Sequence, residues 1–132
     1  MFELAQNYGK GLVFLKDISK SQDISEKYLG QIIIPLRSAK LIASSRGAHG
    51  GYSLSKAPSA INLFDIVNVL EGSISVVECV ADPAVCDRTK KCPTRNIWCR
   101  LDKMIHDYLR GITLEDLVKM GGKAGNIPNF QI

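Results

Sequence analysis

The sequence has no apolar run approaching the ~20 residues that a membrane-spanning helix needs. It also has no basic segment leading into an apolar one near its start, so no signal peptide is legible. The expected compartment is the cytoplasm, with no membrane partner, and the expected state of its thiols is reduced. Internal repeats and low-complexity segments are lacking. Histidine is scarce, with only His49 and His106. The chain shows no Ser/His/Asp set, no phosphate-cradling glycine loop and no paired carboxylates in a convincing context, so an enzyme is not expected. The close C-x-x-C pair typical of zinc ribbons and knuckles is missing as well.

What is present is 132 residues, 45% of them hydrophobic, enough for one compact domain with a modest core. The net charge of +4 is unevenly placed. Residues 1–56 carry eight Lys/Arg against four acids, whereas residues 57–132 carry nine of each. The whole positive surplus therefore lies in the first half. It points to nucleic acid only if a motif gathers it on one face.

Phe2 to Tyr8 reads as the end of a helix stopped by Gly9. It has no capping residue, as if entered in the middle, and the expectation is that relatives carry a longer start. Leu15 to Ser21 forms a short helix, Gln22-Asp23-Ile24 a turn, and Ser25 the N-cap of a helix from Glu26 to about Ala39. The buried stripe of that helix is Tyr28 or Leu29 with Ile32, Ile33 and Leu36. Lys27, Gly30, Gln31, Ile34 and Arg37 are left for its other faces. Pro35 should kink it or weaken a turn. Two short helices joined this way make a helix-turn-helix.

Lys40 to Ser45 can be a strand, Arg46 to Gly51 a glycine-rich turn and Tyr52 to Ser55 a returning strand. A helix-turn-helix followed by a hairpin is a winged helix. Its glycines allow a tight tip and close backbone approach, and Arg46 can reach a phosphate or a minor groove. The DNA-facing set on this reading is Ser25, Lys27, Tyr28, Gln31 and Arg37 from the helices. The wing adds Arg46, Gly47, His49, Gly50 and Gly51. Pro58 closes the wing. Asn62 then caps a helix from Leu63 to Leu70 or Glu71, and Gly72 ends it.

All four cysteines fall between Cys79 and Cys99. Cys79, Cys86 and Cys92 are separated by six and five residues, a wide loop able to wrap thiolates around something larger than one ion. Arg88, Lys90, Lys91 and Arg95 would lower thiol pKa values and offset the charge of a bound group. Cys99 lies within the next helix. Seven residues beyond Cys92 is a rise of about 10 Å, far for a shared small cluster, so Cys99 reads first as a free thiol packed beside Trp98 and only second as a fourth-ligand candidate. That helix runs from Pro93 to about Arg110. Its face of Ile97, Leu101, Met104, Ile105, Tyr108 and Leu109 exceeds what so small a domain can cover, and reads as a homodimer interface; burial against the chain's own winged helix is the alternative, and both can be partly true. Thr113 and Asp116 begin a last helix ending at Met120, with Gly121-Gly122 as its stop.

The blocks ISEKYLGQIIIPLRSAKLI, RGAHGGYSLSK, INLFDIVNVLEG, CPTRNIW and ITLEDLV resemble the Rrf-two superfamily of bacterial winged-helix regulators. They are similar in particular to its IscR-like, iron–sulfur branch. The resemblance implies a homodimeric transcription factor on double-stranded DNA. The helix-turn-helix would lie in the major groove and the wing in the minor groove. An iron–sulfur cluster would be held by Cys79, Cys86 and Cys92, with 2Fe–2S preferred to 4Fe–4S. Three departures stand out. A basic start about a dozen residues longer is missing. Gly30 stands where that branch commonly carries a motif-selecting glutamate. Arg95 replaces a histidine ligand, and a guanidinium does not ligate metal.

The fold class expected is mainly α with a small β-hairpin wing, an α+β arrangement. Residues 1–72 would form the winged helix, 73–92 the linker and cysteine loop, 93–120 the dimerisation and final helices, and 121–132 a loose tail. The leading function is DNA-binding transcriptional regulation under cluster control. Thiol or zinc sensing, and a protein-interaction module without DNA binding, are the alternatives.

Overall fold

The structure is a computed structural model that describes residues 1–47 and 50–123. Its helices are α1 (Phe2–Gln6), α2 (Leu15–Gln22), α3 (Glu26–Ser38), α4 (Leu63–Glu71), α5 (Glu78–Ala81), α6 (Arg95–Arg110) and α7 (Leu114–Lys123). A single antiparallel pair, β1 (Ile42–Ser45) and β2 (Gly51–Leu54), sits between α3 and α4, with Ile42 opposite Leu54 and Ser45 opposite Gly51. This is the mainly helical, winged helix-turn-helix architecture that the sequence implied. No described helix is long and apolar enough to cross a membrane.

Local chemistry explains the helix-turn-helix. Asp23 closes α2 in the left-handed region, at φ 52°, which short polar residues tolerate. Ser19 Oγ donates to the Ile24 carbonyl at 2.7 Å and fixes the turn. Ser25 then caps α3 by accepting from the Tyr28 N–H at 3.2 Å. Pro35 does not end α3. It leaves the Gln31 carbonyl without a helical donor, yet the Ala39 N–H still reaches the Pro35 carbonyl at 2.9 Å and the last turn closes.

Leu29, Ile33 and Leu36 bury one face of α3 against Leu4 and Ala5 of α1, Ile18 of α2, Leu41, Ile42 and Leu54 of the hairpin, and Ile66 of α4. Tyr28, offered as an alternative to Leu29 in that stripe, is 55% exposed. Leu70, near the end of α4, is 37% exposed. Asn62 accepts from the Asp65 N–H at 2.9 Å and starts α4 as expected.

Other boundaries differ from the sequence reading. Helix α6 begins at Arg95, because Pro93 and Thr94 form a turn before it. Cys79 lies on the one-turn helix α5 rather than in a loop. The last helix passes through Gly121 and Gly122 to Lys123. The reason is packing: α7 lies against α1, and a Cβ at Gly121 would stand 2.7 Å from Cζ of Phe2. Gly121 makes room for a ring there. Residues 124–132, read as a tail, lie outside the described residues.

Candidate DNA interface and cysteine segment

On the face of α3 turned away from the core, Lys27, Tyr28 and Gln31 are all exposed. Ser25 is exposed as well, but its hydroxyl is engaged as the cap. Arg37 and Arg46, distant in sequence, line one cleft of about 430 Å³ together with Ser44, Ser45, Gly47 and Tyr52. Neither arginine is in an ion pair among the described residues. Two free guanidiniums on one cleft suit bidentate contact with phosphate. His49 lies outside the described residues.

The wing glycines serve the chain itself. Gly47 takes φ 116°, and the Gly50 N–H donates to its carbonyl at 2.9 Å. A Cβ at Gly50 would meet the Ser45 carbonyl at 2.6 Å. Gly51, read as a DNA contact, is instead buried, because Val13 pairs with Tyr52 through two 2.9 Å backbone bonds. A Cβ at Gly51 would come within 2.9 Å of the Val13 carbonyl. The sequence reading missed this clasp. Val13 lies in the short apolar run Leu12 to Leu15, which by itself does not name a pairing partner.

The cysteine segment is a chain of local turns. Asp82 Oδ1 accepts from the Ala84 N–H at 2.9 Å and sets a short 3-10 turn over Pro83–Val85. The Thr89 hydroxyl lies 2.8 Å from the Cys86 carbonyl and 3.0 Å from the Pro83 carbonyl, and shares its one proton between them. Arg95 reaches back from the start of α6, its Nη2 donating to the Cys79 carbonyl at 3.4 Å, while its Nε is buried without a partner among the described residues. Arg95 thus ties α5 to α6.

All four cysteines are half-buried and free of disulfides. Among the described residues, no three of His, Cys, Asp and Glu converge into a metal-binding set. Thiolate chemistry suits an iron–sulfur cluster, but the arrangement of Cys79, Cys86, Cys92 and Cys99 does not form its cradle. Cys92 is set apart. Its Sγ lies 3.3 Å from Thr94 Oγ1. The hydroxyl and then the backbone N–H of Thr94 hold its thiol below the ordinary value, helped by the Arg95 N–H and the Arg88 guanidinium. Asp87, Arg88, Lys91, Cys92 and Pro93 line a cavity of about 370 Å³.

Helix α6 has two faces. Ile97, Leu101, Met104 and Tyr108, spaced by four, three and four residues, form one stripe, and Ile97, Met104 and Tyr108 are 63%, 67% and 70% exposed. Ile105 and Leu109, named with them from sequence, are half-buried. They fall on the helical face shared with Trp98, Asp102 and His106. There α6 packs on α4. Phe64 of α4 meets the His106 ring edge-on at 4.9 Å, and the Arg110 guanidinium lies 4.0 Å from its centroid. Asp102 is buried, its Oδ2 3.7 Å from His106 Nδ1. Burial of α6 against the winged helix, the alternative reading of its apolar face, is thus met on this side of the helix, while the Asp102–His106 pair at the joint went unread in the sequence. The signal was available as an acid and a histidine four residues apart on the inner face.

Residues 1–120 match the family model Rrf2, described as an iron-dependent transcriptional regulator. The chain is 43% identical over 117 residues to the HTH-type transcriptional regulator CymR of Bacillus subtilis, covering 89% of this chain and 80% of that one. The solved structure of CymR (YrzC), the global cysteine regulator of B. subtilis, superposes with a TM-score of 0.75 at 42% identity, covering 90% of this chain and 87% of that one. T. potens IscR gives 0.76 at 38% identity, covering 98% and 85%. With a winged helix-turn-helix in place and the family model spanning both it and the cysteine segment, the chain belongs to the Rrf2 family of transcriptional regulators and is not an enzyme.

Proposed function

We propose that this regulator binds double-stranded DNA as a homodimer and that chemistry in the Cys79–Cys92 segment sets its affinity. Helix α3 would enter the major groove through Lys27, Tyr28 and Gln31. The wing would approach the minor groove, with Arg37 and Arg46 on flanking phosphates. The exposed stripe of Ile97, Leu101, Met104 and Tyr108 would meet its copy in the partner. The observation that carries the reading is the placement of Cys79, Cys86 and Cys92. They share one segment that packs on the start of α6, and α6 in turn packs on α4 of the reader.

For the sensing chemistry we favour an iron–sulfur cluster on Cys79, Cys86 and Cys92. The thiolate donor set and the iron-dependent description of the family model support it. Because the described residues do not gather these thiols, a cluster would require the segment to rearrange. A second reading, direct sensing by the thiols, is favoured by the depressed Cys92 thiol and by the likeness to Staphylococcus aureus CymR, whose structure is known in an oxidized form.

The deciding experiment is anaerobic reconstitution with ferrous iron and sulfide, followed by visible absorption and metal analysis. Bound iron and sulfide, lost in Cys86→Ala with the fold intact, supports the cluster. Zinc without sulfide moves the reading to a zinc thiolate. Absence of all three, with DNA affinity that follows reversible thiol oxidation, moves it to the thiols themselves.

A further inference from the structure

Helix α3 advances 100° per residue, so Leu29, Ile33 and Leu36 lie within about 60° of one another and form its buried face. Lys27, Gln31, Ile34 and Ser38 also fall within about 60° of each other, on the opposite side. All four are exposed, and Ile34 is 66% exposed. A lone exposed apolar residue needs no explanation. This one sits among the side chains that would read DNA. It is β-branched, which does not favour a helix, and it takes no part in the core.

We infer that Ile34 is a specificity-determining residue that packs on the C5-methyl group of a thymine in the major groove. The inference rests on the DNA-binding reading above and deepens it. Gln31 can hydrogen-bond adenine through N6 and N7, whereas an aliphatic side chain recognises the thymine methyl by contact. Three residues separate Gln31 from Ile34, a rise of about 4.5 Å. Successive base pairs are stacked about 3.4 Å apart. Ile34 therefore addresses a thymine one or two base pairs from the adenine that Gln31 addresses. Gly30, beside Gln31, has no side chain, and a Cβ there would meet nothing within 4 Å. Base selection on this helix consequently leans on Gln31 and Ile34, and the preferred half-site is A·T-rich where they touch it.

The test uses the full chain and a duplex selected by it from a random pool. Thymines in each half-site are replaced singly by deoxyuridine, which keeps the pairing and removes only the methyl. The wild-type chain should lose about fourfold in affinity at one position per half-site. Ile34→Ala should bind the thymine duplex about fourfold more weakly and should not respond to uracil at that position. Because Ile34 is exposed and alanine favours a helix, the variant should keep its fold, which circular dichroism checks. Equal binding of thymine and uracil duplexes by the wild type, or uracil sensitivity retained in Ile34→Ala, overturns this assignment alone. If no duplex shows salt-dependent binding, the DNA-binding reading falls and takes this one with it.

Discussion

Among the described residues, the chain buries eleven apolar side chains between Leu4 and Ile66 and none between Val67 and Leu101. The first region holds the winged helix and the second the cysteine segment. A reader of DNA must present Lys27, Gln31, Arg37 and Arg46 in a fixed geometry, and a shared core with capped helices achieves that. The cysteine segment is held by short turns, by Arg95 and by its contact with α6. Few buried apolar contacts mean a low cost of local opening. On the proposed function, the contrast would place rigidity with recognition and ease of rearrangement with sensing.

The largest effect that would sharpen this contrast is in the core. Leu36→Ala should cost about 2–5 kcal/mol of unfolding free energy and lower DNA binding through loss of folded protein. The corresponding change at exposed Val85, in the cysteine segment, should stay within about 0.5 kcal/mol. Denaturant titration measures both. Comparable losses would show that the segment shares the core's cooperativity.

Arg46→Ala should act on binding and leave stability alone. It should weaken all duplexes by a similar factor and reduce the slope of log affinity against log salt by about one. An unchanged slope would remove the wing from the phosphate-contacting surface.

Smaller effects test the recognition helix. Ser25→Ala loses the cap to the Tyr28 N–H and should cost about 1 kcal/mol. Gly30→Ala has open space for its methyl and should add about 0.5–1 kcal/mol of stability. A destabilised Gly30→Ala would mean that α3 needs its glycine for a conformation other than the regular helix.

The smallest effect is chemical. The Thr94 contacts depress the Cys92 thiol, so at neutral pH Cys92 should be alkylated ahead of Cys79, Cys86 and Cys99. Since its folded value is lowered, the thiolate's contribution to stability is present above the unfolded pKa and is lost as pH falls through the folded value. Thr94→Val should move the alkylation profile to higher pH. Mass spectrometry after brief labelling reads both results, and equal rates at all four thiols would remove the distinction drawn for Cys92.

Much of the reader was legible. The spacing of Leu29, Ile33 and Leu36, the caps Ser25 and Asn62 and the run of glycines after Arg46 are local signals, and local chemistry sets those elements. Gly121 and Gly122 misled because glycine usually stops a helix, while here a Phe2 ring distant in sequence needs the room at Gly121; a Cβ at Gly122 would meet nothing within 4 Å. Pro93 misled by two residues because a turn uses it before α6 begins. Six apolar residues on α6 looked like one face, but Ile105 and Leu109 fall with those turned toward α4.

The sequence by itself determined the winged helix-turn-helix, the excess of positive charge on that half and the crowding of thiols into one short stretch. Periodicity, capping and composition act over a few residues, so they can be read without coordinates. Tertiary structure decided the rest. It brought Arg37 and Arg46 to one cleft and turned Gly51 inward against Val13. It set Phe64 against His106 and Arg110, and it placed Arg95 on the Cys79 carbonyl. Each of these joins residues separated by many positions, and only packing sets which of them meet. The cysteines show the boundary most clearly: their spacing raised the expectation of a shared site, and among the described residues the fold holds their segment without gathering them.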